Sequence, residues 1–195
     1  MTPSEFNTLI RERRSVFQND YSGTRVDDQI VRQMLENAAW APTHKFTEPW
    51  RFVVYTGEGL KKLATLQAAY YKKYTQADNS FKEERYQNLL NKPMLSSHII
   101  VIGMARDEKE TVPEIEEAGA VFCAVQNMYL TAAAYGIGCY LSTGGITYFN
   151  GAQQLFGWGP ADKLIGFLHI GTPKNALREG KRKPVGEKTA WIDHQ

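Results

Sequence analysis

The sequence predicts an α+β fold, one domain in which a small mixed or antiparallel sheet lies between helices. Segments with the helical apolar period are interspersed with short β-branched and aromatic runs. Composition agrees, because 43% apolar and 23% charged residues over 195 positions suit a chain with a substantial core. No internal repeat or low-complexity linker divides it, so one domain is expected over 1–195, ending in an arm from about residue 174.

The elements follow in order. Residues 4–13 place Phe6, Leu9 and Ile10 on one helical face behind a Pro3-Ser4 start signal, and deliver Arg13-Arg14-Ser15 at the helix end. A second helix over 27–39 carries Ile30, Val31, Met34, Leu35, Ala38 and Ala39, and Pro42 stops it. The stretch WAPTHKFTEPW, residues 40–50, then reads as a helix exit and loop, with Trp40 and Trp50 anchoring its ends. Residues 51–55 form a strand closed by Gly57 and Gly59, and 60–90 read as helix broken near Asp78-Asn79-Ser80. HIIVIGM, residues 98–104, is a continuous apolar strand of the kind buried on both faces. A charged loop over 107–114 leads into a long apolar helix, 115–135, with Gly136 as its left-handed stop. Two more strands, 139–142 and 164–170, enclose a short helix at 152–156 and the turn Phe156-Gly157-Trp158-Gly159-Pro160.

Charge and cysteine usage exclude several function classes. With 23 basic and 21 acidic residues the formal net charge is +2, so no broad field for a nucleic-acid backbone is expected. Cys123 and Cys139 lack metal-ligand spacing and are expected as reduced, buried thiols. The stretch MTPSEFNTLIRERRS has charges within reach of every apolar residue and lacks the apolar centre of a secretion signal, so a cytoplasmic protein is expected. Residues 118–140 are the longest apolar stretch, but Gln126, Asn127 and Thr131 interrupt it. It reads as a helix of a core or subunit interface, and no membrane association is expected.

Familiar catalytic motifs are missing. Gly136 and Gly138 leave a helix instead of opening one, and the third fingerprint position holds Leu141, so no dinucleotide-binding phosphate loop is present. There is no GxxxxGK[ST], HExxH or GxSxG, and the four histidines have no ligand spacing, so neither a metal site nor a covalent nucleophile is expected. Basic and hydroxyl groups instead gather at element ends: Arg13, Arg14 and Ser15; His44 and Lys45; Ser142 and Thr143 with Gly144-Gly145; and Lys181-Arg182-Lys183. Guanidinium forks, hydroxyls and exposed backbone N–H groups are what a small-molecule phosphate needs. Taken singly, each cluster has an ordinary explanation as a helix-end cation or a solvated tail. Their joint order sets them apart from those explanations.

That order resembles the nitroreductase family of FMN-dependent oxidoreductases, in particular its short members. The resemblance is carried by RRS at the first helix end, APTHKFTEPW, HIIVIGM, AAAYGIGCYLSTGG, LIGFLHIGTP and KRKP, which span nearly the whole chain. It implies a nitroreductase-like fold with the long helix at a dimer interface, and a homodimer with FMN between the subunits. It implies that Arg13 and Ser15, with Arg14 beside them, meet the phosphate or ribityl chain. Trp40 and His44 would come from the partner chain, Leu141, Ser142 and Thr143 would line the flavin, and Arg182 would reach the phosphate, assisted by Lys181 or Lys183. Residues 131–136 lie where short relatives contact the nicotinamide nucleotide. No catalytic side chain is implied, since the flavin would carry two electrons from NADH or NADPH to an acceptor such as a nitroaromatic or quinone. Similar folds also reduce enones, remove halide or oxidise heterocycles, and a flavin carrier without turnover fits the same residues. Two departures stand out: Phe17 occupies the position where many relatives place Lys or Arg, with Lys45 or His44 as the expected substitute, and Glu48 replaces a common amide.

Overall fold

A computed structural model describes residues 1–193. Its elements, in chain order, are α1 (Pro3–Glu12), α2 (Asp28–Ala38), β1 (Trp50–Thr56), α3 (Glu58–Ala77), α4 (Glu83–Asn91), β2 (His98–Met104), α5 (Glu114–Ala134), β3 (Gly138–Ser142) and β4 (Lys163–Gly171). Every predicted element is present within a residue or two of its expected ends. The short helix at Ala152–Phe156 is 3-10. Single 3-10 turns at Gln18–Asp20, His44–Phe46, Lys92–Leu95 and Val185–Lys188 were not anticipated.

The four strands pair in the order β1-β2-β4-β3, every pair antiparallel. The expected mixed character reduces to one isolated parallel bridge, Ser15 to Cys139. All seven residues of β2 are buried, as its unbroken apolar run requires of a strand covered on both faces. Alternation sorts its side chains: Ile100, Ile102 and Met104 join α2 and α5, while Ile99 and Val101 join α3. A register shift between Ile102 and Gly103 bends the β2–β4 pair, and the Trp158 ring lies where a Cβ on Gly103 would stand. The aromatic turn before β4 is thus seated on the sheet.

Local chemistry explains the ends. Thr2 caps α1 in a complete capping box with Glu5, Pro3 following it. At the end of α5, Gly136 takes φ 68° and Ile137 N donates to Ala132 O at 2.8 Å, the left-handed stop its sequence predicts.

Two expectations need correction: Cys123 is exposed rather than buried, and Trp40 does not anchor the 40–50 loop. Helix α5 is buried on one side only, leaving Ile115 and Phe122 at 78% and 49% exposure, and Cys123 is exposed with them. Its inner face packs on α2, while the outer one stays open among the described residues. The apolar face of α1 is likewise uncovered, with Phe6 and Ile10 exposed. In the 40–50 loop Trp50 is buried as an anchor, whereas Trp40 stands 85% exposed, because α2 ends at Ala38 and the chain turns outward there.

Candidate functional site

The segment after α1 builds the site. Arg13 leaves the helix with ψ 132°, and the chain runs extended beside β3: Val16 N donates to Cys139 O at 3.0 Å, and Ser15 pairs with Cys139. The Phe17 ring packs on Tyr140 at 4.4 Å between centroids. Ser15 thus makes an isolated parallel bridge along the outer edge of β3.

One cleft runs along this segment and a second meets it at Gln18. One, of about 250 Å³, is lined by Arg14, Ser15, Phe17, Asn175 and Arg178 among others. The second, of about 290 Å³, lies among Gln18, Gln67, Arg85, Asn88, Lys92, Ser142, Gly144, Gly145 and His169. Of the predicted residues, Arg14 and Ser15 line the first and Ser142 the second. Leu141 N donates to the Tyr129 hydroxyl at 2.7 Å, and the Arg13 guanidinium covers the Tyr129 ring at 5.1 Å, so Tyr129 of α5 joins the two groups. Thr143 follows directly on β3, half-buried.

The two arginines are used differently. Arg14 is spent on the main chain, donating from Nε to Arg178 O at 2.9 Å and from one terminal nitrogen to the carbonyls of Arg11 and Arg13. Its guanidinium also occupies the space a Cβ on Gly180 would need. Arg14 straps the C-terminal arm to the end of α1. The Arg13 guanidinium has no ion-pair or hydrogen-bond partner among the described residues, which leaves its fork available to an anion.

The remaining predicted residues stand apart from these clefts within one chain. His44 Nδ1 pairs with the Glu116 carboxylate of α5, and Trp40 projects from the loop. Lys45, in the left-handed region at φ 51°, donates Nζ to Thr111 O. Both expected substitutes for a cation at Phe17 are thus engaged elsewhere in their own chain, while Arg85 and Lys92 reach the second cleft. The Glu48 carboxylate does not pair with Arg51, which donates to the Glu48 main-chain carbonyl at 3.0 Å. Arg182 lies in the exposed arm, where its guanidinium donates to Lys181 O at 2.7 Å. Thr131, at the start of the 131–136 stretch, is held inside the fold between Asn37 and the Asn127 carbonyl.

The floor of the second cleft holds two buried polar residues that motif reading passed over. Gln67 interrupts the buried stripe Leu60, Leu63, Ala64, Ala68 and Tyr71 of α3, and His169 interrupts the apolar run of β4. The readable signal was a polar residue at a core-facing position. Burial holds the His169 imidazole neutral, its pKa pulled down to about 4. Burial also pushes the Cys139 thiol up to about 12, so it stays protonated behind the segment.

The model of the Nitroreductase family matches residues 10–172. The chain belongs to the nitroreductase family. A crystal structure of a nitroreductase-like family protein from Bacillus cereus matches with TM-score 0.81 at 30% identity, covering 100% of this chain and 99% of that one. YfhC of Bacillus subtilis (strain 168) is 30% identical over 186 residues, 95% of this chain and 93% of its own length. The fold is shared more distantly with the FMN-dependent nitroreductase NfnB from Mycobacterium smegmatis, solved in complex with NADPH, at TM-score 0.74 and 18% identity over 98% of this chain. The family match ends where β4 ends, so the strapped arm of this nitroreductase lies outside the matched region.

Proposed function

We propose that this nitroreductase binds FMN along residues 13–18 and β3, and passes two electrons from NADH or NADPH to an electron-poor acceptor such as a nitroaromatic or quinone. One observation carries the reading: the segment after α1 runs from the free guanidinium of Arg13, beside a cleft shared with Tyr129 and Cys139, past Ser15 in a neighbouring cleft, to a third cleft with a glycine-lined mouth at Gln18. An elongated molecule with an anionic end and a flat polar ring matches that layout. The donors fit: Arg13 offers a charge-assisted fork, Ser15 a hydroxyl, and Gly144 an approachable backbone, since nothing lies within 4 Å of where its Cβ would stand. FMN when bound would supply the redox chemistry, taking a hydride from the nicotinamide. The chain's own part is to fix position and charge and to exclude water from one side. The relative NfnB, FMN-dependent by name and solved with NADPH, supports the pairing of cofactors.

The working unit in this reading is a homodimer. The uncovered apolar faces of α1 and α5, together with Trp40 at 85% and Phe46 at 88% exposure, form the surface a second copy would cover. Trp40 and His44 would then approach the partner's flavin, and the arm would bring Arg182 to a phosphate. The decisive experiment mixes the yellow holoprotein anaerobically with NADH or NADPH. Rapid loss of the flavin's visible absorbance, restored by a nitroaromatic or quinone, is the expected result. A flavin that keeps its colour with both donors makes the protein a carrier.

A further inference from the structure

His169 stands in the wall between two clefts. It lines the 290 Å³ cleft at 6% exposure, and its Nδ1 lies 3.1 Å from the hydroxyl oxygen of Ser96, which is buried to the same degree. Ser96 lines a different pocket, of about 210 Å³, whose rim includes the exposed residues Thr24, Arg25 and Leu95. The other ring nitrogen, Nε2, has no partner among the described residues, although every fully buried side-chain nitrogen and oxygen there has one. The small exposure of His169 therefore includes Nε2, and the cleft that residue lines is the 290 Å³ one. The ring is braced in place: it stacks on Tyr140 at 6.4 Å between centroids, and the Tyr21 hydroxyl donates to the His169 main-chain carbonyl at 3.0 Å. One imidazole thus meets the cleft through one nitrogen and, through the other, a hydroxyl on the far side of the wall.

We propose that Ser96 and His169 form a proton relay serving the reduction carried out in the 290 Å³ cleft. Reducing a quinone with NADH or NADPH takes a hydride from the donor and one proton from water. Among the polar side chains of the cleft, the amides of Gln18, Gln67 and Asn88 and the Arg85 guanidinium do not exchange a proton near neutral pH. Lys92 and His169 can, and of these only His169 is bonded to a second group able to replace the proton it gives. In the relay Nε2 releases its proton to the group being reduced, Nδ1 takes the Ser96 hydroxyl proton, and Ser96 Oγ takes one from water in the 210 Å³ pocket. No charge builds on the ring. When product leaves and water re-enters the cleft, Nε2 takes a proton from that water and the shift at Ser96 runs back, so each turnover consumes one proton from water and restores the starting tautomer. Burial, with Arg85 and Lys92 in the cleft and no carboxylate in its lining, keeps the imidazole neutral, the form in which one nitrogen donates while the other accepts.

The relay rests on the FMN reading, and its test tells the two apart. Holoprotein is reduced anaerobically with NADH or NADPH and then mixed with a quinone, and the return of flavin absorbance gives the rate. Ser96→Ala, folded by thermal melting and with its flavin content retained, should reoxidise on the order of tenfold more slowly than wild type. Ser96→Thr keeps the hydroxyl and should recover most of that rate. Nitrogen NMR of the resting wild-type protein should find Nε2 protonated and Nδ1 bare, a readout that needs neither turnover nor a variant. A folded, flavin-loaded Ser96→Ala that reoxidises at the wild-type rate, a threonine variant as slow as the alanine one, or a proton found on Nδ1 overturns the relay and leaves the FMN reading standing. Wild-type protein that holds no flavin, or whose flavin neither donor bleaches, overturns the reductase reading and the relay with it.

Discussion

Arg13 and Arg14 are neighbours in sequence, and the fold sends them to opposite tasks. Arg13 lies over Tyr129 with its fork free, so Arg13→Ala should give folded protein with little bound FMN. Absorbance of the purified variant, set against its melting temperature, checks this, and full occupancy would remove Arg13 from the phosphate. Arg14 holds Arg178 O and the carbonyls at the helix end, so Arg14→Ala should free the arm. Trypsin should then cut at residues 181–183 several-fold faster than in wild type, with a melting temperature lowered by the equivalent of about 1–2 kcal/mol. The sequence marks both as helix-end cations but cannot divide their roles, because the partner that claims Arg14 lies 164 residues away. Gln67 was legible in principle, as the one amide among the buried residues of α3, whereas the exposure of Trp40 depends on how a loop leaves α2 and was not.

The elements themselves were readable because period and punctuation agree. Continuous apolar β2, the capping of α1 and the glycine stop of α5 each state one local preference that packing then confirms. The 3-10 turns were hidden, since three or four residues carry no period. The seat of the 156–160 turn was hidden too: its aromatic chemistry was visible, but its landing place, Gly103, lies in another strand. Adding a methyl there forces the Trp158 ring off β2. Gly103→Ala should destabilise the protein by about 1–3 kcal/mol, and denaturant unfolding should show the midpoint falling with an unchanged slope.

For the molecule as a whole, buried histidines contribute to the response to acid. His169 binds its proton near pH 4 when folded and near 6.5 when unfolded, so below 6.5 the unfolded chain takes up protons that the fold excludes. Stability is complete above that value and falls as pH drops towards about 4, by on the order of 3 kcal/mol over the window. His98 is also lowered by burial, against the pull of the Asp28 carboxylate 3.0 Å from its Nε2, and adds loss of the same sign. Melting temperature against pH should therefore slope more steeply for wild type than for His169→Gln between those limits. At the same scale, sedimentation should find a dimer, and Trp40→Asp should shift it towards monomer by charging an exposed aromatic of the proposed interface. The bridge between Ser15 and Cys139 has one further consequence, in the time order of synthesis. The first arginines leave the ribosome early, but the strand they lie against is made only after α5 is complete. A growing chain thus carries Arg13 to Ser15 long before it has a strand on which to lay them, and this segment takes its place only late in each chain's folding.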